Sequence, residues 1–205
     1  MSILQAVILT MGVAMAIEEP TYNVLSKTEE YEVRKYESVL VAETEVVAGF
    51  EDAGNQAFRI LAGYIFGANK QKTKISMTAP VSQEATTASE KIAMTAPVSQ
   101  SKTPSGYKVQ FTMPKPYTLE TLPLPTDERV HLREIPAKTV AVYRYSGSWS
   151  EERYQEKLQE FQSALKRNTL KTLGEPTLAR YDSPFRLWFL RRNEIWLEVK
   201  FEGSP

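Results

Sequence analysis

Residues 74–83 read KISMTAPVSQ and residues 91–100 read KIAMTAPVSQ, so one ten-residue phrase occurs twice at an offset of 17, with only Ser76 and Ala93 differing. A period that short cannot make a repeat unit with its own core, and each copy has about the length of a strand. The spacer Glu84-Ala85-Thr86-Thr87-Ala88-Ser89-Glu90 is polar. Two similar strands joined by a loop, a hairpin-like pair, are therefore expected. The strand period of two places Ile75 and Met77 on one face. Pro80 and Pro97 have no amide donor and belong at strand ends or a sheet edge.

Working outward, the 205 residues suit one large or two small domains and can bury a substantial core. Lys plus Arg and Asp plus Glu both number 25, so no net field recruits nucleic acid or an anionic membrane. Cysteine is absent, which removes disulfides, thiolate metal sites and cysteine nucleophiles and leaves the redox compartment open. His131 is the one histidine, so neither a histidine metal cluster nor a second histidine for a triad exists. No G-x-S-x-G, P-loop or paired metal motif organises the hydroxyls and carboxylates, and binding rather than catalysis is expected.

Residues 1–16 carry an apolar run, Ile3 to Ala16, ending Ala14-Met15-Ala16 before Glu18-Glu19-Pro20. The run length and its small-residue end predict an export signal, although no Lys or Arg precedes it. It is short for a membrane span. The remainder, 17–205, is then expected as a single periplasmic or secreted domain with no stable membrane span; if 1–16 is retained, the location is cytoplasmic.

Tyr31–Tyr36 and Val39–Val47 predict two strands around Glu37-Ser38. After Gly49 the period changes: Phe50, Ala53, Ala57, Phe58, Leu61, Ile65 and Phe66 recur at three or four residues, an amphipathic helix that Gly67 can cap. Gly106–Met113 predicts a further strand, and Pro114, Pro116, Pro123 and Pro125 mark a long loop. The order then recurs. Val130–Ile135 and Thr139–Tyr145 predict strands, and a helix runs from Ser148 or Ser150, as N-cap, towards Arg167. At an offset of 99, Arg34 matches Arg133, Val41-Ala42 matches Val140-Ala141, and Phe50 matches Trp149. The tail predicts a strand at Thr177–Tyr181, then a closing hairpin of Phe185–Leu190 and Ile195–Phe201 about Arg191-Arg192-Asn193-Glu194. Two halves, about 22–113 and 128–203, thus form an α+β fold with pseudo-twofold symmetry.

The phrase KIAMTAPV after a strand–strand–helix unit, with the helix start at Trp149 in the second half, resembles the SOUL haem-binding protein family over roughly residues 20–203. The resemblance implies a distorted antiparallel β-barrel of two similar halves, each with a long helix packed outside. It also implies non-covalent binding of haem or a related tetrapyrrole in an apolar groove, for carriage, buffering or sensing. The similar two-half fold of DNA-gyrase-inhibitor-like effector domains offers an alternative, bulky hydrophobic or cationic ligands, which a buried Glu or Asp inside the barrel would favour. An interaction protein without a small ligand is the third reading.

Candidate haem contacts follow from ligand chemistry. His131 supplies the one imidazole for iron, though a lone strand histidine sharing a face with Arg133 and Ile135 more often sits on a rim. Met77 and Met94 hold equivalent places in the two copies and carry thioethers, as does Met113; core filling is the commoner use of Met. Lys70, Lys72, Lys74, Arg191 and Arg192 offer cations for propionates, against the reading of a solvated rim. Phe58, Leu61, Ala62 and Ile65 are a possible groove wall or, more simply, core.

Overall fold

The computed structural model describes residues 17–71 and 89–201. Eleven strands and two helices follow one another as β1 (Tyr22–Lys27), β2 (Glu32–Tyr36), β3 (Val39–Val46), α1 (Phe50–Ile65), β4 (Asn69–Lys70), β5 (Val98–Thr103), β6 (Gly106–Thr112), β7 (Leu124–Pro125), β8 (His131–Ile135), β9 (Lys138–Tyr145), α2 (Glu151–Arg167), β10 (Thr172–Arg180) and β11 (Asn193–Val199). Nine strands form one curled antiparallel sheet in the order β1-β2-β9-β11-β10-β5-β6-β3-β8, and β4 pairs with β7 separately. β1 and β8 stand at the two ends of that order, so hydrogen bonding among the described residues curls the sheet without closing a barrel.

The order is a palindrome about the β5–β10 pair. β8, β3, β6 and β5 on one side answer β2, β9, β11 and β10 on the other. β2 and β8, and likewise β3 and β9, begin 99 residues apart, the offset read in the sequence. The expected strand pairs, however, do not form within each half. β2 pairs with β9 and β3 with β8, so each half sends its first strand to the other. The two-residue link Glu37-Ser38 therefore crosses between sheet regions and is no hairpin turn.

Alternation along the strands sorts side chains to two faces. Ala42, Val46, Val109 and Phe111 meet Ala53, Ala57, Leu61, Tyr64 and Ile65 of α1 in one core. Val33, Ala141, Ile195, Leu197 and Val199 meet Tyr154, Leu158, Phe161 and Leu165 of α2 in a second. The helices touch where Phe50 stacks on Tyr154, ring centroids 4.9 Å apart. Each fully buried Leu or Phe here stabilises by roughly 1.5–3 kcal/mol. Ser150 caps α2 by accepting from the Arg153 amide, whereas Gly49 gives α1 no side-chain cap. At the end of α1, Phe66 closes the last turn on Ala62, and Gly67 takes a φ of +120° that a side chain would resist.

Three further expectations change. The second copy of the doubled phrase enters a strand only at Val98, and both edges of β5 are already taken, by β6 and β10. β5 therefore does not pair with the first copy, which lies outside the described residues. Phe185–Leu190 is not a strand: the closing hairpin is β10 with β11, and 181–192 form a long loop containing a single turn of 3-10 helix at Trp188–Leu190. Glu194, expected in a turn, is inside β11 and 0% exposed. No described helix is long and apolar enough to cross a membrane.

Candidate ligand-binding site

The β10–β11 loop presents the most conspicuous apolar surface. Phe185 is 95% exposed, and Leu187, Trp188, Phe189 and Leu190 are all more than half exposed. Five large apolar groups within six residues of this loop exceed the scattered exposure ordinary for a surface, and such patches mark binding sites. The loop has a defined shape. Arg191 donates from Nε to the Arg186 carbonyl at 3.0 Å and from Nη2 to the Pro184 carbonyl at 2.7 Å. Arg186 donates from Nε to the Leu190 carbonyl at 3.0 Å and pairs with Asp182 at 3.1 Å. Two guanidinium groups thus brace the main chain of the loop, whose apolar side chains stay exposed. Arg191 also lies 4.3 Å above the Trp149 ring, whose indole N–H is fixed by the buried Asn193 at 2.9 Å, so the loop is fastened to the start of α2.

Below the loop lies a buried polar cluster on the sheet face away from the helices. Glu194 accepts from Arg34 at 3.1 Å, Arg192 at 2.9 Å, the Tyr181 hydroxyl at 2.8 Å and the Trp196 indole at 2.9 Å. Burial works to raise its pKa, but the Arg34 and Arg192 charges prevail and hold it below the usual carboxylate range. Burial, reinforced by the Glu194 charge, pushes the Tyr36 hydroxyl up to about 12 and Tyr181 well beyond the ordinary phenol range. A buried acid, the feature that would favour the effector-domain alternative, is therefore present. It is already matched by two guanidinium groups and offers no unpaired charge to a cation.

Arg192 joins this cluster to the N-terminal segment. It pairs with Glu19 at 3.0 Å and lies 3.6 Å above the Tyr181 ring. The Glu18 carbonyl accepts from the Ala96 amide at 2.9 Å, and the Thr21 carbonyl accepts from Glu37 at 3.3 Å. Residues 18–21 so border a cavity of about 500 Å³ whose wall includes Val39, Leu40 and Met113 and also Glu18, Glu19, Glu37, Glu120 and Glu134, with Lys115 as its one basic group among the described residues. That charge balance repels a dianionic ligand.

Of the described cations singled out from sequence, Arg191 lies in the apolar loop and Arg192 directly after it, in the polar cluster below. His131 is exposed on β8 opposite Glu43 and borders a separate hollow with Glu45, Glu128 and Arg129. Met94 is 39% exposed ahead of β5, and Met113 is buried in the α1 core. Lys70 is exposed on β4. Lys72, Lys74 and Met77 lie outside the described residues. Leu61, Ala62 and Ile65 are core, and Phe58, 36% exposed, packs on Phe111. Sequence reasoning missed Phe185, Leu187, Trp188 and Phe189 because an apolar run bounded by charges reads as a strand. Ser183-Pro184 before it, and Arg186 breaking its alternation, were the available signals for a loop.

Known proteins give the family. The model described as "SOUL heme-binding protein" matches residues 17–90 and 82–198, so each copy of the doubled phrase falls in a different matched stretch. The curated "Heme-binding protein 2" of Mus musculus is 30% identical over 177 residues, covering 85% of this chain and 80% of the relative. Among solved structures, the EcmrR C-terminal domain aligns with TM-score 0.55 at 11% identity, over 87% of this chain and 98% of that one. A hydrolase from Listeria innocua aligns with TM-score 0.53 at 11% identity, over 85% and 94%. These two show likeness of fold alone. Matches to the family pattern on both sides of the palindrome, with that curated relative, place the chain in the SOUL haem-binding protein family.

Proposed function

We propose that this protein binds haem or a related tetrapyrrole non-covalently, at the β10–β11 loop, for carriage, buffering or sensing. The observation that carries the site is the exposed set Phe185, Leu187, Trp188, Phe189 and Leu190 framed by Arg186 and Arg191. A tetrapyrrole is a flat apolar disc with carboxylates at one edge. Exposed aromatic and aliphatic groups meet the disc, and guanidinium donors meet the carboxylates. Each guanidinium has five N–H donors. Among the described residues Arg191 retains Nη1 and Arg186 retains Nη2 beyond the bonds that shape the loop. The residues present thus fit the ligand's faces and edge. Bound haem would supply the iron chemistry; the chain's part is to hold the disc and its carboxylates, with no histidine at this loop.

The family and its murine relative's name support binding over catalysis. The signal-like features of residues 1–16 support export of a single domain, 17–205, and the equal charge counts support a role apart from nucleic acid. One observation favours a second ligand class: the carboxylate-lined cavity beside residues 18–21 suits an organic cation.

Haemin titration followed by absorbance and tryptophan quenching tests the site. The exposed pair Trp188→Ser and Phe189→Ser should weaken haemin at least about tenfold, equivalent to about 1.4 kcal/mol, without changing the fold. His131→Ala should leave the Soret shift intact. Unchanged affinity in the loop variant refutes this site, and displacement of haemin by a lipophilic cation points to the cavity instead.

A further inference from the structure

A tetrapyrrole site accounts for exposed apolar side chains on the β10–β11 loop, but not for the way the loop treats its main chain. The carbonyls of Ser183, Pro184, Arg186, Leu187, Trp188 and Leu190 each accept a hydrogen bond from within residues 183–191. Arg191 serves two of them with its side chain and a third with its amide, and Arg186 serves one with each. A segment in water needs none of this, since water fills exposed carbonyls. Hydrocarbon supplies no donor, so any backbone that enters it must be satisfied from within.

We propose that the β10–β11 loop inserts its apolar side chains into the interfacial layer of a phospholipid bilayer, with Arg186 and Arg191 on the lipid phosphates. The side chains match that layer. Phe185, Leu187, Phe189 and Leu190 supply exposed apolar surface, and Trp188 is of the ring type enriched at bilayer–water boundaries. Charge complementarity points the same way. Residues 183–192 contain three arginines and no carboxylate, and Asp182 just before them is paired with Arg186 at 3.1 Å. Among the described residues Arg191 retains Nη1 and Arg186 retains Nη2 for phosphate oxygens. Their stems let the charged heads stay at the level of the phosphates while the apolar neighbours go deeper. The bonds that shape the loop are in place before docking, so little ordering is left to oppose it. With 25 basic and 25 acidic residues in the chain, attraction comes from insertion and not from a long-range field. A zwitterionic surface therefore suffices, and no bound tetrapyrrole is needed.

Flotation of the ligand-free protein with phosphatidylcholine vesicles tests the insertion. The unaltered chain should float, and should do so equally at about 0.1 M and about 1 M salt, because screening does not touch apolar contact. The pair Trp188→Ser and Phe189→Ser should bind at least about tenfold more weakly with an unchanged melting temperature, both side chains being exposed. Vesicles brominated in their acyl chains should quench tryptophan emission. Trp188→Leu should still float but lose that quenching, since Trp149 is half-buried and Trp196 is buried. Flotation of the serine pair equal to that of the unaltered chain, or flotation without quenching, overturns the proposal. Loop-dependent dimers that do not float overturn it too and assign the patch to a second copy. A protein that binds haemin yet fails to float refutes insertion and leaves the tetrapyrrole site standing.

Discussion

Glu194 shows how a single buried charge is made tolerable. A carboxylate with no exposure is costly unless its oxygens are filled and its charge is answered, and here Arg34, Arg192, Tyr181 and Trp196 do both. Its native pKa lies below the ordinary 4.5. The stability it contributes is accordingly present above about pH 4.5 and lost as pH falls through the lower native value. Arg34→Met should remove about 3 kcal/mol at pH 7, because burial then acts on Glu194 with one cation fewer. That loss should shrink as the solution is acidified and Glu194 takes up a proton. Urea midpoints of the two proteins from pH 7 to pH 4 check this; a defect constant with pH contradicts it. None of the cluster was legible beforehand, since Glu194 stands in a charged tetrapeptide that reads as a turn, and only register places it inside.

At the level of elements, periodicity was a good guide where one face is buried. Both helices and strands β2, β3, β6, β8 and β9 lie within a residue or two of their sequence readings, because an apolar stripe of period 3.6 or 2 has one way to be buried. Phe185–Leu190 defeated the same rule. Its apolar residues are not there to be buried, so a pattern that presumes burial misassigns them. The capping reading held for Ser150 and exposes an asymmetry between the helices. Gly49 sits in extended backbone with nothing within 4 Å of an added Cβ. Gly49→Ser should therefore cap α1 without strain and raise stability by about 0.5–1 kcal/mol, while Ser150→Ala should lose about 1 kcal/mol. Melting temperatures should move in opposite directions by roughly 1–4 °C. A fall with Gly49→Ser would mean that the start of α1 is not set by its cap.

For the molecule as a whole, the offset of 99 foretold a duplicated fold but not the exchange of strands that joins the two halves in one sheet. β2 completes the neighbourhood of β9, β8 completes that of β3, and β5–β10 joins the two at the palindrome's centre. Pairing partners are chosen by three-dimensional neighbours, and a single sequence records only which segments are strands. The consequence is testable by opening the chain between the exposed Thr126 and the half-exposed Asp127, a point that leaves β4–β7 whole in the first fragment. Residues 17–126 keep β3 with β6 but lose β8 and β9; residues 127–205 keep β9 with β11 but lose β2 and β5. Each fragment then has a bare sheet edge beside an apolar core, which is insoluble or loosely ordered by the physics of unpaired edges. Neither fragment alone should show a cooperative urea transition. An equimolar mixture should recover one, with a midpoint that rises with concentration as association requires. A first fragment that unfolds cooperatively by itself would show that each half carries its own domain and that the strand exchange is incidental to stability.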